Sequence, residues 1–302
     1  MKKTLSMLWA AGLLVAACQS NNTGQDNAES TEATTQDETT GNKETKKGAD
    51  PRLTKLWDSD TTLITNESVL PYNGKLYVSN IQGQPTDEDG KGSIAILNTD
   101  GSIEQAIWVE GLDAPKGMAV HEGALYVTDI NELVVIAMDD PSDISRYPVE
   151  GAQFLNDVAA ANNGVYFSDM KTGKLHHFSD ESVTTVAEGL TGINGLAWSK
   201  EEGLLHLLTG KGLHKMNDDG SFPIINSTVT NGDGLVILGE ESYIVSRWQG
   251  EIWHVEGEEA TKLFDSTADK IQTADIGFDH ESQTLYVPRF FSNKVTAMQF
   301  KK

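Results

Sequence analysis

The feature that most constrains this chain is a phrase that recurs about every forty residues. Each copy contains a small or polar pair, a short apolar strand, a turn and a second strand of the type Leu-Tyr-Val-Ser/Thr-Asp/Asn. Repetition at such a period is typical of proteins built from similar stacked units. We call the residues that open the six copies the column: Glu67, Lys116, Asn156, Asn194, Asp233 and Ala274. Their successive spacings are 49, 40, 38, 39 and 41 residues.

Each unit has room for four short alternating strands and shows no helical periodicity of 3.6 residues. This length and composition are typical of a propeller blade rather than of a strand-helix-strand unit. The repeat therefore predicts an all-β, six-bladed β-propeller over residues 51–302. The last unit stops after its third strand, whereas residues 54–58 read like the fourth strand at residues 261–265. We expect the N-terminal strand to complete the last blade, because this pairing removes two exposed edges.

The first residues of the chain predict export and lipid attachment. Two lysines precede an apolar stretch over residues 5–17, which is too short for a membrane span and is typical of a signal peptide. The stretch ends in Leu-Val-Ala-Ala followed by Cys18, which resembles the bacterial lipobox. We therefore expect a signal peptide over residues 1–17 and palmitate or a related acyl group at Cys18. A polar, disordered tether would run to residue 50.

The charge of the chain limits its location and partners. Its 45 acidic and 23 basic side chains give a net charge of −22, which repels nucleic acids. The single cysteine excludes a disulfide framework and a zinc finger.

We expect a monomer that takes a small-molecule substrate and contacts the membrane through its lipid alone. Gln19 at the position after the cysteine resembles outer-membrane lipoproteins, so we expect a bacterial envelope protein that faces the periplasm.

The column indicates a metal site. The innermost strands of a propeller open beside its axis, so the column residues converge at one mouth of the central channel. Oxygen ligands from two carboxylates and two amides suit a divalent cation, calcium first, with zinc, manganese and magnesium as alternatives. Glu67, Asn194 and Asp233 would hold it. The same residues are also compatible with a water-filled channel in which they hydrogen-bond around Lys116.

Several of the repeated phrases carry a family resemblance. They are Asn-Glu-Ser-Val (66–69), Phe-Leu-Asn-Asp (154–157), Ile-Asn-Gly-Leu-Ala-Trp-Ser (193–199), Gly-Asp-Gly-Leu (232–235) and Ser-Arg-Trp-Gln-Gly-Glu-Ile-Trp (246–253). In this order they resemble the motifs of the senescence-marker-protein/gluconolactonase family, also called regucalcin-like. The resemblance implies a calcium-dependent hydrolase of lactones or esters. It assigns the metal to Glu67, Asn194 and Asp233, and it implies that Asn156 orients the substrate or water.

A catalytic site of this kind would need further roles. Asp233 would act as the general base, Asn156 would hold the carbonyl oxygen, and Lys116 would stabilise negative charge in the tetrahedral intermediate. The sugar-lactone hydrolases of the family have an arginine where this chain has Phe154, so we expect a substrate other than gluconolactone. Substrate-binding residues would come from the ends of the second strands, which return to the same mouth: Asn80, Asp129, Asp169, Arg247 and Arg289.

A different class of function remains open at this point. The chain is also compatible with a non-catalytic binding or scaffolding propeller that keeps the metal as a structural pin or has none. The seven histidines show no spacing typical of metal ligands, and we expect surface positions for most of them. Aromatic residues such as Tyr166 and Trp198 are expected to pack between blades.

Overall fold

A computed structural model describes residues 50–302, which form 24 β-strands. The predicted signal peptide, the predicted acylation site Cys18 and nearly all of the predicted tether lie outside these residues. The part of the chain that is described contains no helix long and apolar enough to cross a membrane. Its strands form six four-stranded antiparallel sheets arranged as a β-propeller, as the repeat predicts.

The first five blades each take four consecutive strands. Blade 1 contains β2 (Asn66–Tyr72), β3 (Lys75–Asn80), β4 (Gly92–Asn98) and β5 (Ile103–Leu112). Blade 2 contains β6 (Pro115–His121), β7 (Ala124–Asp129), β8 (Glu132–Ala137) and β9 (Ile144–Pro148). Blade 3 contains β10 (Leu155–Ala161), β11 (Gly164–Asp169), β12 (Lys174–Ser179) and β13 (Ser182–Ala187). Blade 4 contains β14 (Leu196–Ser199), β15 (Leu204–Thr209), β16 (Gly212–Lys215) and β17 (Ile224–Asn226). Blade 5 contains β18 (Leu235–Gly239), β19 (Ser242–Arg247), β20 (Glu251–Glu256) and β21 (Glu259–Asp265).

Blade 6 joins the two ends of the described chain. It contains β22 (Gly277–Asp279), β23 (Thr284–Pro288), β24 (Val295–Phe300) and, as its outer strand, β1 (Leu53–Asp58). Strand β1 pairs antiparallel with β24, with Leu53 opposite Phe300 and Asp58 opposite Thr296. The predicted ring closure is therefore confirmed.

The hydrophobic core lies between neighbouring blades. Each of the six interfaces has its own buried cluster; Ile94 and Leu125 belong to the cluster between blades 1 and 2, and Ile244 and Leu285 to that between blades 5 and 6. The second strand of a blade is covered on both faces, which explains its continuous Leu-Tyr-Val run. Tyr166 of blade 3 stacks on Trp198 of blade 4 at 6.1 Å, which confirms the expected aromatic packing between blades.

The histidines correct the sequence-based expectation of surface positions. Four of them, His176, His206, His214 and His254, are at most 5% exposed. They lie on second or third strands and pair with hydroxyl groups; for example, Tyr243 Oη of blade 5 lies 3.1 Å from His206 Nδ1 of blade 4. Burial lowers the pKa of His206, which favours the neutral ring and explains how it fits between apolar neighbours.

Candidate functional site

The column residues owe their position to irregular strand starts. In blades 1 to 3 the pairing between first and second strands shifts register between Asn66 and Val69, between Pro115 and Met118, and between Leu155 and Val158. Such bulges bend the strand locally and redirect side chains. The column residue is the second residue of β2, β6 and β10, so each bulge includes it.

The hydroxyl of the Leu-Tyr-Val-Ser/Thr phrase stabilises the strand start. Ser79 Oγ accepts a hydrogen bond from the Ser68 amide at 2.9 Å, and Ser168 Oγ accepts one from the Asp157 amide at 3.0 Å. Ser246 Oγ accepts the Gly234 amide at 2.8 Å in the same way. In each case the donor is the residue after the column. A buried amide that the irregular pairing releases thus finds a side-chain partner.

Glycine follows the column where neighbouring blades approach most closely. A Cβ atom at Gly195 would meet the carbonyl oxygen of Asp233 in the next blade. A Cβ atom at Gly117 would lie 2.5 Å from Asp157 Oδ1. These glycines allow the inner strands to converge, which brings residues some forty positions apart in sequence together at the axis.

Glu67 and Asp233 form the centre of the candidate site. Both are buried, each 5% exposed. Burial and the neighbouring Asp233 carboxylate raise the pKa of Glu67 well above its usual value, and Lys116 opposes this shift. Burial also raises the pKa of Asp233, to about 7, against a hydrogen bond from Asn194. The structure therefore places two mutually repelling carboxyl groups in a dry environment.

One oxygen of each carboxylate lacks a partner. Asn194 Nδ2 donates to Asp233 Oδ1 at 2.7 Å, but Asp233 Oδ2 and Glu67 Oε2 are buried with no hydrogen-bond partner within residues 50–302. Asn194 uses its amide nitrogen here, so its Oδ1 is available as a third oxygen ligand. The donor set predicted from sequence is therefore brought together. In residues 50–302 no group of three or more His, Cys, Asp and Glu side chains is placed for a metal, so any cation at the axis would need the asparagine oxygen.

Two further carboxylates flank the column that sequence reasoning did not include. Asp157 and Asp275 each come one residue after a column position. Asp157 is fully used, because its Oδ1 accepts the Val158 amide at 2.7 Å and its Oδ2 accepts the Leu196 amide at 2.5 Å. Asp275 Oδ2 accepts from Ser68 Oγ at 2.6 Å. Burial is the main cause that raises the pKa of both carboxyl groups. Their only sequence signal is an Asp directly after a column residue in blades 3 and 6.

Lys116 is the one ammonium among these groups in the described chain. It is 1% exposed, its Nζ donates to the Ala114 carbonyl at 2.8 Å, and it lies 4.6 Å from the centre of the Phe154 ring. Burial lowers the pKa of Lys116 to about 8, although Glu67 and Asp129 oppose this shift. Asn156 is also buried, and its Nδ2 lies 3.8 Å from Met170 Sδ, which leaves its amide oxygen uncommitted.

The predicted substrate-binding residues of blades 1 to 3 hold the loops that lead to the column. Asp129 accepts the Asp113 and Ala114 amides at 2.8 and 2.6 Å. Asp169 accepts the amides of Gln153 and Phe154. Asn80 Oδ1 accepts from Asn66 Nδ2 at 2.7 Å. All three side chains are at most 2% exposed. Their described contacts are structural, and contact with a substrate stays a prediction.

The two predicted arginines diverge from each other. Arg247 donates to Glu251 Oε2 at 2.7 Å within blade 5. Arg289 is buried, and its Nη2 donates to Ser266 Oγ at 3.0 Å between blades 5 and 6. The described contacts of both guanidinium groups are with these two blades rather than with the column.

Apolar side chains pack together at the mouth beside the column. Ile81, Ala114, Ile130, Ala274 and Phe290 form a buried group that we call the mouth cluster. Ile130 has a left-handed backbone, φ 52°, which is rare for a β-branched residue and is held in place by this packing. The six column residues are accordingly at most 9% exposed.

The other end of the channel is open. A cavity of about 410 Å³ enters from the far side and ends at Ser68, Asp157 and Asp275, the layer next to the column. Polar and apolar surface contribute equally to its walls, which include Leu70, Phe278 and Lys200. A ligand that approaches the column along this route would meet the carboxylates of Asp157 and Asp275 at the inner end.

Comparison with known proteins supports the fold. No protein-family model and no curated protein matches the chain. Solved structures do match it. A gluconolactonase from Xanthomonas campestris is 16% identical with a TM-score of 0.59, covering 82% of this chain and 89% of its own. A virginiamycin B lyase from Staphylococcus aureus, with quinupristin, is 13% identical with a TM-score of 0.59, covering 82% and 99%. A chain of a nidogen/laminin complex is 10% identical with a TM-score of 0.55, covering 76% and 94%. At these identities the likeness shows a shared propeller fold.

Proposed function

We propose that this protein is a divalent-cation-dependent hydrolase of lactones or related esters, with calcium as the preferred ion. The observation that carries the proposal is the pair of buried, unpartnered carboxylate oxygens, Glu67 Oε2 and Asp233 Oδ2, beside Asn194. An ionised carboxylate is costly to bury without a counter-ion. A hard cation supplies that counter-ion, and calcium accepts both carboxylate and amide oxygens.

The residues at the axis fit such an ion. Glu67, Asp233 and the Asn194 amide oxygen would hold it. When bound, the ion would polarise a substrate carbonyl as a Lewis acid. The single ammonium, Lys116, leaves the local charge strongly negative when the carboxyl groups are ionised, so a cation is favoured over an anion.

The remaining roles belong to this chain's own side chains. Asp233 would take a proton from the attacking water. Asn156 would donate a hydrogen bond to the carbonyl oxygen, and Lys116 would stabilise the negative charge that develops there. Phe154 lies against Lys116 and presents an apolar ring rather than a polar group. This ring in place of a polar group favours an ester or lactone with an apolar body over a sugar lactone.

Two solved structures of similar fold support an enzymatic function. One structure of similar fold is described as a gluconolactonase and another as a virginiamycin B lyase. Both are enzymes on a propeller scaffold, which agrees with the family resemblance of the column phrases.

The test is hydrolysis of a panel of aliphatic lactones and aryl esters by the full chain, first chelated and then supplied with calcium, magnesium, zinc or manganese. We expect turnover that depends on the cation and is lost in Asp233→Asn. Asp219→Asn, which changes an exposed carboxylate, is the matched control and should retain full activity. Turnover by chelated protein, or by Asp233→Asn, would contradict the proposal.

A second candidate function is a binding or scaffolding propeller with a structural cation. The burial of the column favours it, because residues that are at most 9% exposed and lie beside the mouth cluster leave little surface for a substrate to contact from that side. Cation-dependent stability without turnover on any member of the panel would select this alternative. A chain of the nidogen/laminin complex has a similar fold, and that structure is described as a complex rather than as an enzyme.

We also propose that the protein is displayed as a lipid-anchored monomer of the bacterial envelope. The support is the lipobox-like sequence before Cys18 and the strongly polar residues 19–50. Metabolic labelling with radioactive palmitate should label the wild-type chain and not Cys18→Ser. Wild-type protein that stays unlabelled, or that fractionates without membranes, would contradict this placement.

A further inference from the structure

A second, separate pocket lies at the seam between blades 5 and 6, where the chain closes into a ring. It has a volume of about 220 Å³ and is lined by Arg289, Lys294, Lys55 and Asp58 together with Phe264 and Met298. We call it the seam pocket. Strand β21 of blade 5 forms one wall, and strands β24 and β1 of blade 6 form the other.

Arg289 is the unusual group in this pocket. It is only 4% exposed, and its guanidinium carbon lies 4.9 Å from the centre of the Phe264 ring. Nη2 donates to Ser266 Oγ, but Nη1 is buried with no hydrogen-bond partner within residues 50–302. Burial lowers the pKa of Arg289 to about 10, so the group remains a cation at neutral pH. Buried arginines are ordinarily paired with an anion.

The other charges around the pocket do not supply that anion. Asp58 is the carboxylate among its lining residues. It accepts from Lys55 at 2.6 Å and from Lys294 at 2.7 Å, and Thr296 Oγ1 donates to its other oxygen at 2.7 Å. In the described chain Arg289 forms no ion pair with any Asp or Glu. Three cations therefore face one carboxylate, in a protein whose net charge is −22.

Apart from Thr296, whose hydroxyl donates to Asp58, the rest of the lining is apolar. Phe264, Met298, Leu53 and Ile271 contribute side chains to the pocket. An inorganic anion would satisfy Arg289 but would leave these walls in contact with water. A ligand with one anionic end and a short apolar body would satisfy both kinds of lining.

We propose that the seam pocket binds a small organic acid, whose carboxylate accepts from the guanidinium group of Arg289 and whose apolar body packs against Phe264 and Met298. Guanidinium groups are well suited to carboxylates because their donors lie in one plane. The site does not involve the column, so it stands or fails independently of the proposed hydrolase activity.

The test is calorimetric titration of the full chain with hexanoate, a six-carbon monocarboxylate, and with hexanol, which has the same apolar body and no charge. We expect saturable, one-to-one binding of hexanoate and none of hexanol. Chelation of divalent cations should leave this binding unchanged, which separates it from any function at the column. No saturable binding of hexanoate would overturn the proposal.

Variants identify the site. Arg289→Gln should weaken hexanoate binding at least tenfold, and Ile271→Trp, which retains Arg289 and fills the pocket, should weaken it similarly. Arg247→Gln is the matched control, because Arg247 pairs with Glu251 outside the pocket, and it should bind normally. If Arg289→Gln does not fold, Ile271→Trp decides. Unchanged binding by Ile271→Trp would overturn the assignment to this pocket, and inorganic phosphate binding as tightly as hexanoate would overturn the role of the apolar body.

Discussion

The column and the seam pocket are opposite solutions to the placement of buried charge. At the column, the carboxyl groups of Glu67 and Asp233 lie beside one ammonium, and an oxygen of each lacks a partner in the described chain. In the seam pocket, Arg289 lies beside two lysines and one carboxylate, and its Nη1 lacks a partner there. The column is surrounded by all six blades, whereas the seam pocket is formed by two.

The difference teaches that net charge and local charge are independent. A chain with a charge of −22 still builds a pocket with excess positive charge, because the fold and not the composition decides which side chains meet. Each site therefore favours a ligand of the opposite charge: a cation at the column and an anion at the seam. The following predictions test whether the two sites respond separately.

The largest expected effect is the stabilisation by a cation. Calcium at a hundred times its dissociation constant should raise the unfolding free energy of the wild-type chain by about 2.7 kcal/mol. Asp233→Asn should lose this gain, because it removes the charge and one ligand oxygen. Thermal unfolding with and without calcium measures both.

Asp157→Asn is the control for this prediction. Both oxygens of Asp157 already accept backbone hydrogen bonds, so its variant should lose basal stability and still respond to calcium. A calcium response retained in Asp233→Asn, or absent from the wild type with all four cations, would refute the column as a cation site.

The second effect is the pH dependence of the cation-free protein. Because the folded pKa of Asp233 is raised to about 7, its carboxyl stabilises the folded state below the unfolded pKa, and this contribution is lost as pH rises through about 7. On its own, Asp233 should therefore lower the unfolding free energy between pH 5 and pH 8 by on the order of 2 kcal/mol, at about 1.4 kcal/mol for each unit of pKa difference. Asp157, whose pKa burial likewise raises to about 7, adds a fall of the same sign.

Carboxyls with lowered pKa act outside this window. The hydrogen bond from Lys262 lowers the pKa of Asp265 to about 2, so its contribution is lost only in more acidic solution. Chemical denaturation of chelated protein across the pH series provides the measurement. Equal slopes for wild type and Asp233→Asn would show that the pH dependence arises elsewhere.

A smaller effect concerns the hydroxyls that support the column. Ser246→Ala removes the acceptor of the buried Gly234 amide and should lower the unfolding free energy by about 1 to 2 kcal/mol. Calcium affinity should fall as well, since Asp233 precedes Gly234. Ser182→Ala on the exposed strand β13 is the matched control and should change neither quantity. A Ser246→Ala protein as stable as the control would contradict the role of the hydroxyl.

The smallest effect should come from Arg247→Gln. The Arg247 side chain is 27% exposed and pairs with Glu251, so removing it should cost about 0.5 kcal/mol. Neither calcium stabilisation nor hexanoate binding should change. A lost calcium response would instead place Arg247 beside the column, at the mouth where the sequence predicts it.

Much of this architecture could be predicted from the sequence. The number of blades and the closure by β1 follow from a period and from the likeness of two strands, both of which are local patterns. The convergence of Glu67, Asn194 and Asp233 follows from the same period, because equivalent residues of a closed ring lie at equivalent radii. The Asn194–Asp233 hydrogen bond agrees with that expectation.

Other features could not be read from a pattern. The Asp and Asn that end the repeated phrase are predicted to bind substrate, but the pattern does not show that Asp129 and Asp169 accept loop amides or that Ser79 accepts a strand amide. The sequence predicts surface positions for histidines such as His206, whereas the structure buries them. Their hydroxyl partners come from other strands, so the local sequence does not indicate the pairing. The hydrogen bond from Ser68 to Asp275 joins two different blades, and no local pattern indicates it.

The sequence by itself thus determined the repeat, the strand pattern, the ring closure and the set of polar residues at the axis. They depend on the alternation of apolar and polar residues, which involves only near neighbours, and on the spacing of the repeat, which is the same along the chain. The tertiary structure alone decided which charges are partnered, which side chains pack at the mouth and which groups Arg289 contacts. Electrostatic pairing depends on distances of a few ångströms between residues from different blades, and those distances exist only once the ring has closed.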